Sequence, residues 1–301
     1  MMVSVIIPTL NAGNKINKLL ASIKSQTISC EIVVVDSSST DDTTLICKSY
    51  GAMIISIKKE EFNHGGTRNL AVSQTKGDII VFMTQDALPF DEECIEKLIK
   101  PLENADIAAA YGRHIPMDSA KPTERFARYF NYPDHSIIKG INDLEESGIK
   151  TFFFSNVFSA VKRKQFEETG KFSDQLIMFE DIIYAANLIF RGYKIAYTAD
   201  AKVIHSHDFT FFEQFERYFE AGVSFKNNPL FLKYARTGGE GISLLKNQIR
   251  FLMENKYYIW IAYALIEALF KYSGYISGIN YDKLPDCFTK KYCKNCVRMD
   301  L

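Results

Sequence analysis

The sequence predicts an α/β protein with a mostly parallel sheet flanked by helices and a helical C-terminal extension. Three observations carry this. Short apolar, β-branched runs recur at 3–7, 31–36, 52–57 and 78–83. Segments with helical spacing separate them. From residue 209 to about 275 the pattern is mostly helical. Strand and helix alternating in this way give parallel pairing through right-handed crossovers. The expected division is 1–208 for the sheet domain and 209–301 for the helical extension.

VSVII (3–7) is ended by Pro8 and reads as a buried strand. Residues 14–26 place Ile16, Leu19, Leu20 and Ile23 at helical spacing. EIVVVD (31–36) is a second buried strand, and Thr40, Asp41 and Asp42 suit the start of a helix carrying Leu45 and Ile46. AMIISI (52–57) is a third strand, residues 67–75 are helical, and DIIVFM (78–83) is a fourth strand. Residues 91–100 form an amphipathic helix and IAAAYGR (107–113) a further strand. Residues 116–150 are rich in Pro, Asp, Lys and Gly, with the aromatics Phe126, Tyr129, Phe130 and Tyr132. They read as a long, partly helical excursion over the sheet. TFFFSNVFSAVKR (151–163) returns as a strand leading to a polar turn. A helix over 180–191 presents Ile182, Ile183, Ala186 and Ile189 on one face, and KIAYTADAKVIHSH (194–207) supplies one or two short strands.

Composition narrows the function classes. The 301 residues are 47% hydrophobic and 24% charged, which suits a globular chain with a sizeable core. The 36 basic and 36 acidic side chains cancel, which argues against bulk electrostatic binding of nucleic acid. Cys30, Cys47 and Cys94 are scattered singly and read as ordinary reduced thiols. No secretory signal opens the chain and no uncharged apolar run is long enough to span a bilayer. The expected compartment is the cytoplasm, with room for peripheral association at the inner face of the membrane.

Parallel sheets bind ligands at the carboxyl ends of their strands, so the residues after each strand are the candidates. Asp36 ends the second strand; it is either a turn residue or an acceptor for a base or ribose. In FNHGGTRN (62–69), Gly65 and Gly66 form a turn before a helix whose free N–H groups, with Arg68, suit phosphate. Asp86, past the fourth strand in FMTQDALP, is either a turn residue or an oxygen ligand for Mg²⁺ or Mn²⁺. Glu180 and Asp181 open a helix, where the dipole favours acids; the functional reading is a base for a sugar hydroxyl. His205 and His207 alternate along a strand-like segment and so share a face, from which an imidazole would complete a metal site with Asp86.

These pieces, in this order, resemble the glycosyltransferase family 2 enzymes of the GT-A fold, whose Rossmann-like sheet binds a nucleotide sugar. VSVIIPTLNAG, EIVVVDSSSTDDT, HGGTRNLA, GDIIVFMTQDALP and FEDIIYAANLIFRGYKIAY carry the likeness, which covers residues 3 to 207. HGGTRN, TQDA and IHSH are most similar to the bacterial rhamnosyltransferase branch. The resemblance implies that Pro8, Thr9 and Asp36 line the nucleotide pocket, with Gln85 beside them. It implies that Arg68 lies close to the donor's phosphates, with His64 and Gly65 shaping the turn. Asp86 stands where the DxD motif supplies its metal ligand, but the motif reads Thr84-Gln85-Asp86 and lacks the first acid; His205 or His207 would compensate. Asp181 matches the catalytic base and Glu180 supports it. The implied reaction is a single inverting, metal-dependent displacement from a dTDP- or UDP-sugar, dTDP-rhamnose first, onto a glycan or lipid-linked acceptor of a bacterial surface polysaccharide.

The segment 257–279 is strongly apolar but carries Glu267 and Lys271, and reads either as a packed core helix or as an interfacial one. Trp260 and its tyrosines suit a membrane interface, and the basic KKYCKNCVR (290–298) suits anionic lipid. Cys293 and Cys296 form a single CxxC, too little for zinc unless Cys287 joins. Two rival readings remain in view. A nucleotidyltransferase would need a Gly-rich basic loop after the first strand, where only Gly13 and Lys15 stand. A non-catalytic nucleotide-sugar binder would explain the missing acid but not the retained Asp86, Glu180, Asp181 and histidines.

Overall fold

The structure, a computed structural model, describes residues 2–234 and 240–293. In chain order its regular elements begin with β1 (Val3–Thr9), α1 (Gly13–Lys24), β2 (Cys30–Asp36), α2 (Thr43–Ser49), β3 (Met53–Ser56), α3 (His64–Ser73) and β4 (Ile79–Met83). There follow β5 (Leu88–Pro89), α4 (Cys94–Ile99), β6 (Ile107–Ile115), α5 (Pro122–Asn131), β7 (Ile137–Lys139), α6 (Leu144–Ser147), β8 (Phe158–Lys162) and α7 (Arg163–Glu168). The last are α8 (Glu180–Phe190), β9 (Lys194–Ile204), α9 (Phe211–Lys226), α10 (Pro229–Tyr234), α11 (Glu240–Glu254), α12 (Ile259–Ile279) and α13 (Asp286–Tyr292). Two compact units result. The first contains the chain to Met117, Tyr132–Asp174 and Glu180–His205; the second contains Asp118–Asn131, Gln175–Phe179 and the chain from Ser206.

The first unit holds a sheet in the order β3-β2-β1-β4-β8-β6-β9-β5, with β7 added to β9. β1 pairs in parallel with both β2 and β4, and β2 in parallel with β3. All five residues of β4 are buried, as are Val5, Ile7, Val34 and their neighbours. Strands covered on both faces read as continuous apolar runs, which is why these were visible in the sequence. Each such side chain contributes about 1.5–3 kcal/mol on burial. α1 buries Ile16, Leu19, Leu20 and Ile23, the expected set.

Beyond β4 the sequence reading needs correction. Residues 151–163 are not one strand. A 3-10 turn ends at Phe152, only Phe158–Lys162 is extended, and helix α7 replaces the polar turn. The 194–207 segment holds one long strand, β9, which runs parallel to β6 and shifts register between Gly112 and Arg113; it ends at Ile204, so His205 and His207 lie past the strand and do not alternate along it. α8 buries Tyr184, Ala185, Leu188 and Ile189 beside Ala186, while Ile182 and Ile183 are only half-buried. The 116–150 excursion contains α5, a short edge strand and α6. Cys30, Cys47, Cys94 and Cys287 are free thiols, and Cys293 is disulfide-bonded. Cys296, Lys294 and Arg298 lie outside the described residues.

In the second unit α9 starts at a capping box: Thr210 Oγ1 accepts from the Glu213 N–H, and the Glu213 carboxylate accepts from the Thr210 N–H at 2.7 Å. α12 lies along α9 at a distance that only glycine allows. A Cβ on Gly274 or Gly278 would overlap the carbonyl oxygens of Phe215 and Phe219. Glu267 is buried on this face, accepting from Gln214 at 3.1 Å and pairing with Lys271 at 3.3 Å. The opposite face presents Leu265, Leu269, Tyr272 and Ile276 to the outside. No helix among the described residues is long and apolar enough to cross a membrane.

Gly278→Ala is expected to lower stability by about 1–3 kcal/mol through overpacking. Gly241→Ala, where a Cβ meets nothing within 4 Å, should be neutral or slightly stabilising. Urea unfolding of the two variants checks this.

Candidate active site

The chain winds outward from β1 to β2 and β3, then returns to place β4 on the other side of β1. The crevice between β1 and β4 is therefore the topological switch point, where such sheets bind ligands. Pro8 and Thr9 end β1, and Thr84-Gln85-Asp86 follows β4. Gln85 bridges the two: its carboxamide oxygen accepts the Leu10 N–H at 2.9 Å and its nitrogen donates to the Leu10 carbonyl at 3.3 Å. An acid there could not make the second bond. Asp36 is buried at the end of β2, one oxygen accepting the Ser39 N–H at 3.0 Å and the other having no partner. Ser37 Oγ and Thr84 Oγ1 are likewise buried without partners. Orphaned buried polar atoms are rare and carry a desolvation cost, so three along one sheet edge mark a place for a polar ligand.

The FNHGGTRN stretch is not a glycine turn ahead of a helix. The helix α3 begins at His64, with Gly65 and Gly66 in its first turn. Asn63 caps it, its side-chain oxygen accepting from Gly65 and Gly66 at 3.0 and 2.8 Å, so those N–H groups are already bound. Gly65 is there for room: a Cβ would collide with the Ser173 backbone. Arg68 is buried, donating to the His64 carbonyl at 2.7 Å and to Glu180 Oε1 at 3.3 Å. Thus α3 is tied to the acidic start of α8.

Asp181 is half-buried at that start, two residues after Phe179, which adopts a left-handed φ of 70° rare for an aromatic residue. Its carboxylate accepts the Ile182 N–H at 2.9 Å and the Asn156 N–H at 3.2 Å. Burial first, and the Glu180 charge second, push its carboxyl up to about 7. Asn156 also donates from its side chain to Glu180 at 3.3 Å and accepts from Ser159 at 3.0 Å. The sequence reading missed Asn156 and Ser159. The signal available was a polar Ser155-Asn156 pair within the aromatic run FFFSNVF, since buried amides need partners. The Thr84 N–H bonds to the Val157 carbonyl at 3.1 Å, which ties the segment holding Asp181 to the Thr84-Gln85-Asp86 loop.

Asp86 meets residues more than a hundred positions away because β5 pairs with the end of β9, Leu88 opposite Ile204. His205 Nε2 lies 3.5 Å from Asp86 Oδ1. One ligand atom each from Asp86, His205 and His207 falls within 4.8 Å of the others, a group able to hold a metal ion. A carboxylate with two imidazoles fits a transition ion such as Mn²⁺ better than Mg²⁺, which prefers oxygen. The ring of His114, not singled out from sequence, stands edge-on to His205 at 5.4 Å and stacks on Tyr132.

Residues 4–170 match the sequence profile described as Glycosyl transferase family 2. The chain is 42% identical to the O-antigen chain rhamnosyltransferase RfbN of Salmonella typhimurium, over 95% of this chain and 92% of that protein. It is 41% identical to the O-antigen chain rhamnosyltransferase WbaN of Salmonella anatum, over 94% and 90%. Among solved structures it resembles the mannosyltransferase PcManGT of Pyrobaculum calidifontis, solved with GDP-Man and Mn²⁺, at a TM-score of 0.62 and 17% identity, covering 94% of this chain and 88% of that one. It also resembles S. aureus TarS 1–349 at a TM-score of 0.56 and 17% identity, covering 92% and 91%. The fold is of the GT-A type, and the chain belongs to glycosyl transferase family 2 as a glycosyltransferase.

Proposed function

We propose that this glycosyltransferase moves L-rhamnose from a nucleotide-activated donor, dTDP-rhamnose first, onto a growing, lipid-linked polysaccharide of the bacterial surface. The relatives named as O-antigen rhamnosyltransferases support the sugar and the setting. The observation that carries the mechanism is Asp181: a carboxyl near neutrality, aimed by two backbone N–H groups and linked by the Thr84–Val157 bond to the loop of Asp86.

In the proposed reaction the acceptor hydroxyl donates its proton to Asp181 as its oxygen attacks the anomeric carbon. The bond from that carbon to the diphosphate breaks on the opposite face, and the nucleoside diphosphate leaves with the electron pair. Configuration at the anomeric carbon inverts. Asp36 accepts from the nucleoside through its unpartnered oxygen, and Pro8 and Thr9 wall the pocket. Gln85 holds the two loops apart at a fixed width. Asp86, His205 and His207 would hold the cation, which when bound offsets the diphosphate charge. The ion is Mn²⁺ in preference to Mg²⁺ by its donor set.

The outward face of α12 favours a location as well. Its two charged residues, Glu267 and Lys271, turn toward α9, and its leucines, isoleucine and tyrosine turn out. Beside them an open apolar cavity of about 500 Å³ is lined by Phe212, Phe215, Leu269, Phe270 and Phe288 among others. We read this as the surface that rests on anionic lipid at the inner membrane face, where the acceptor is met.

Asp181→Asn is expected to reduce transfer by about 10²–10⁴-fold while dTDP-rhamnose still raises the melting temperature; full activity in the variant would refute the base. Because only the ionised carboxyl accepts a proton, wild-type kcat/KM should rise with pH through about 7. The same raised carboxyl binds its proton more tightly folded than unfolded, so stability should fall as pH climbs from about 4 to about 7. That slope should flatten in Asp181→Asn.

Thermal shift measured against nucleotide sugars tests donor and metal together. A shift with dTDP-rhamnose that grows with Mn²⁺ and loses that increment in His205→Ala is expected; a shift with UDP-hexoses alone would keep the family and replace the sugar. For the membrane surface, co-sedimentation with phosphatidylglycerol vesicles should be lost in a Leu265→Ser, Leu269→Ser double variant. Equal binding by that variant and wild type would dismiss the α12 face.

A further inference from the structure

We propose that Arg68 and Glu180 form a buried counter-charge pair that, with Asn156, holds Asp181 for proton abstraction, so that Arg68 is a positioning residue for the base and not a ligand of the donor's phosphates. This rests on the reading of Asp181 as the base. Glu180 Oε1 is the junction: it accepts from Arg68 Nη1 and from Asn156 Nδ2, both at 3.3 Å. The Asn156 N–H then reaches Asp181 Oδ2 at 3.2 Å. Ser159 fixes which way the amide points by donating to its oxygen at 3.0 Å. Arg68, Glu180, Asn156 and Ser159 are respectively 4, 6, 3 and 0% exposed, so water does little to screen their charges.

Two acids adjacent in sequence, Glu180 buried and Asp181 half-buried, repel each other. Arg68, delivered from α3, offsets this by neutralising Glu180. Its position also explains the chain's choice at residues 63–66. Asn63 caps α3 and Gly65 lets it approach the Ser173 backbone closely, which carries Arg68 to α8. Of the charged groups on elements packed against α8, Lys150 lies on the 148–152 turn and Lys194, Asp200 and Lys202 on β9. His64 and Arg68 lie on α3, which also packs on α8. Burial and the Glu180 charge raise the Asp181 carboxyl, while the Asn156 and Ile182 N–H groups and Arg68 lower it.

The pair makes opposite demands on two variants, which general damage would not reproduce. In Glu180→Gln the like-charged neighbour is gone, and Asp181 ionises more readily. In Arg68→Met the Glu180 charge is uncompensated, and Asp181 ionises less readily. The Arg68→Met, Glu180→Gln double variant leaves no unpaired charge and returns toward wild type.

The test follows the Asp181 carboxyl itself, by ¹³C NMR of the full chain labelled at aspartate Cγ, with Asp181→Asn to assign the signal. kcat/KM is recorded against pH in parallel. The expected midpoints move down by about one pH unit in Glu180→Gln and up by about one in Arg68→Met, and cancel in the double variant. Movement in the same direction, or none, overturns the proposal, as does a raised KM for the donor in Arg68→Met with the Asp181 midpoint unmoved. If Arg68→Met does not fold, Glu180→Gln decides: no downward move overturns the proposal. Should the midpoints shift as expected while Asp181→Asn keeps full transfer, the base reading fails and the charge coupling stands.

Discussion

The site depends on the antiparallel ladder between β4 and β8. It sets Met83 opposite Phe158 and then passes one more bond, from the Thr84 N–H to the Val157 carbonyl. Past that bond the two backbones diverge, one into Thr84-Gln85-Asp86 and the other into Asn156. Backbone hydrogen bonds have a fixed reach, so the ladder fixes the spacing of the loops that leave it. Asp86 is then held from a second side by the two-residue pairing of β5 with β9. The loops of the candidate site are positioned here by the strands they leave.

Electrostatics adds a second layer. Burying Arg68 with Glu180 removes both from water, and such pairs seldom gain net stability. Their presence beneath Asp181 makes more sense as a means of control over a neighbouring acid than as a fold stabiliser. The unpartnered atoms of Asp36, Ser37 and Thr84 follow the same logic. All three lie just past or at the carboxyl ends of β2 and β4.

The helical unit inverts the usual arrangement. In α12 Glu267 and Lys271 share the α9-facing side with Tyr263, Phe270 and Tyr275, which pack on Phe211 and Phe225, while Leu265, Leu269, Tyr272 and Ile276 face outward. Gly274 and Gly278 bring α12 into backbone contact with α9, and aromatic pairs fill the contact toward the start of α9.

Much of this was legible in the chain itself. The runs VSVII, EIVVVD and DIIVFM declared the parallel sheet, because buried strands need apolar residues on both faces, and AMIISI joined it as a β-branched edge strand. The motif order declared the family. Asp36, Asp86 and Asp181 could be singled out because they stand at the end of a strand, just past a strand and in the first turn of a helix. Tertiary structure alone decided the rest. The start of α3 at His64 depended on the Asn63 cap and on close packing of Gly65 against Ser173, and a local reading of two glycines as a turn had no access to that neighbour. Arg68 found Glu180, and Asp86 found His205, across more than a hundred residues each. Asn156 took its place between Glu180 and Asp181 only when β8 paired with β4. Hydrophobic periodicity is written in neighbouring residues and survives in the sequence; charge pairing and hydrogen bonding between distant segments exist only once the chain has closed on itself.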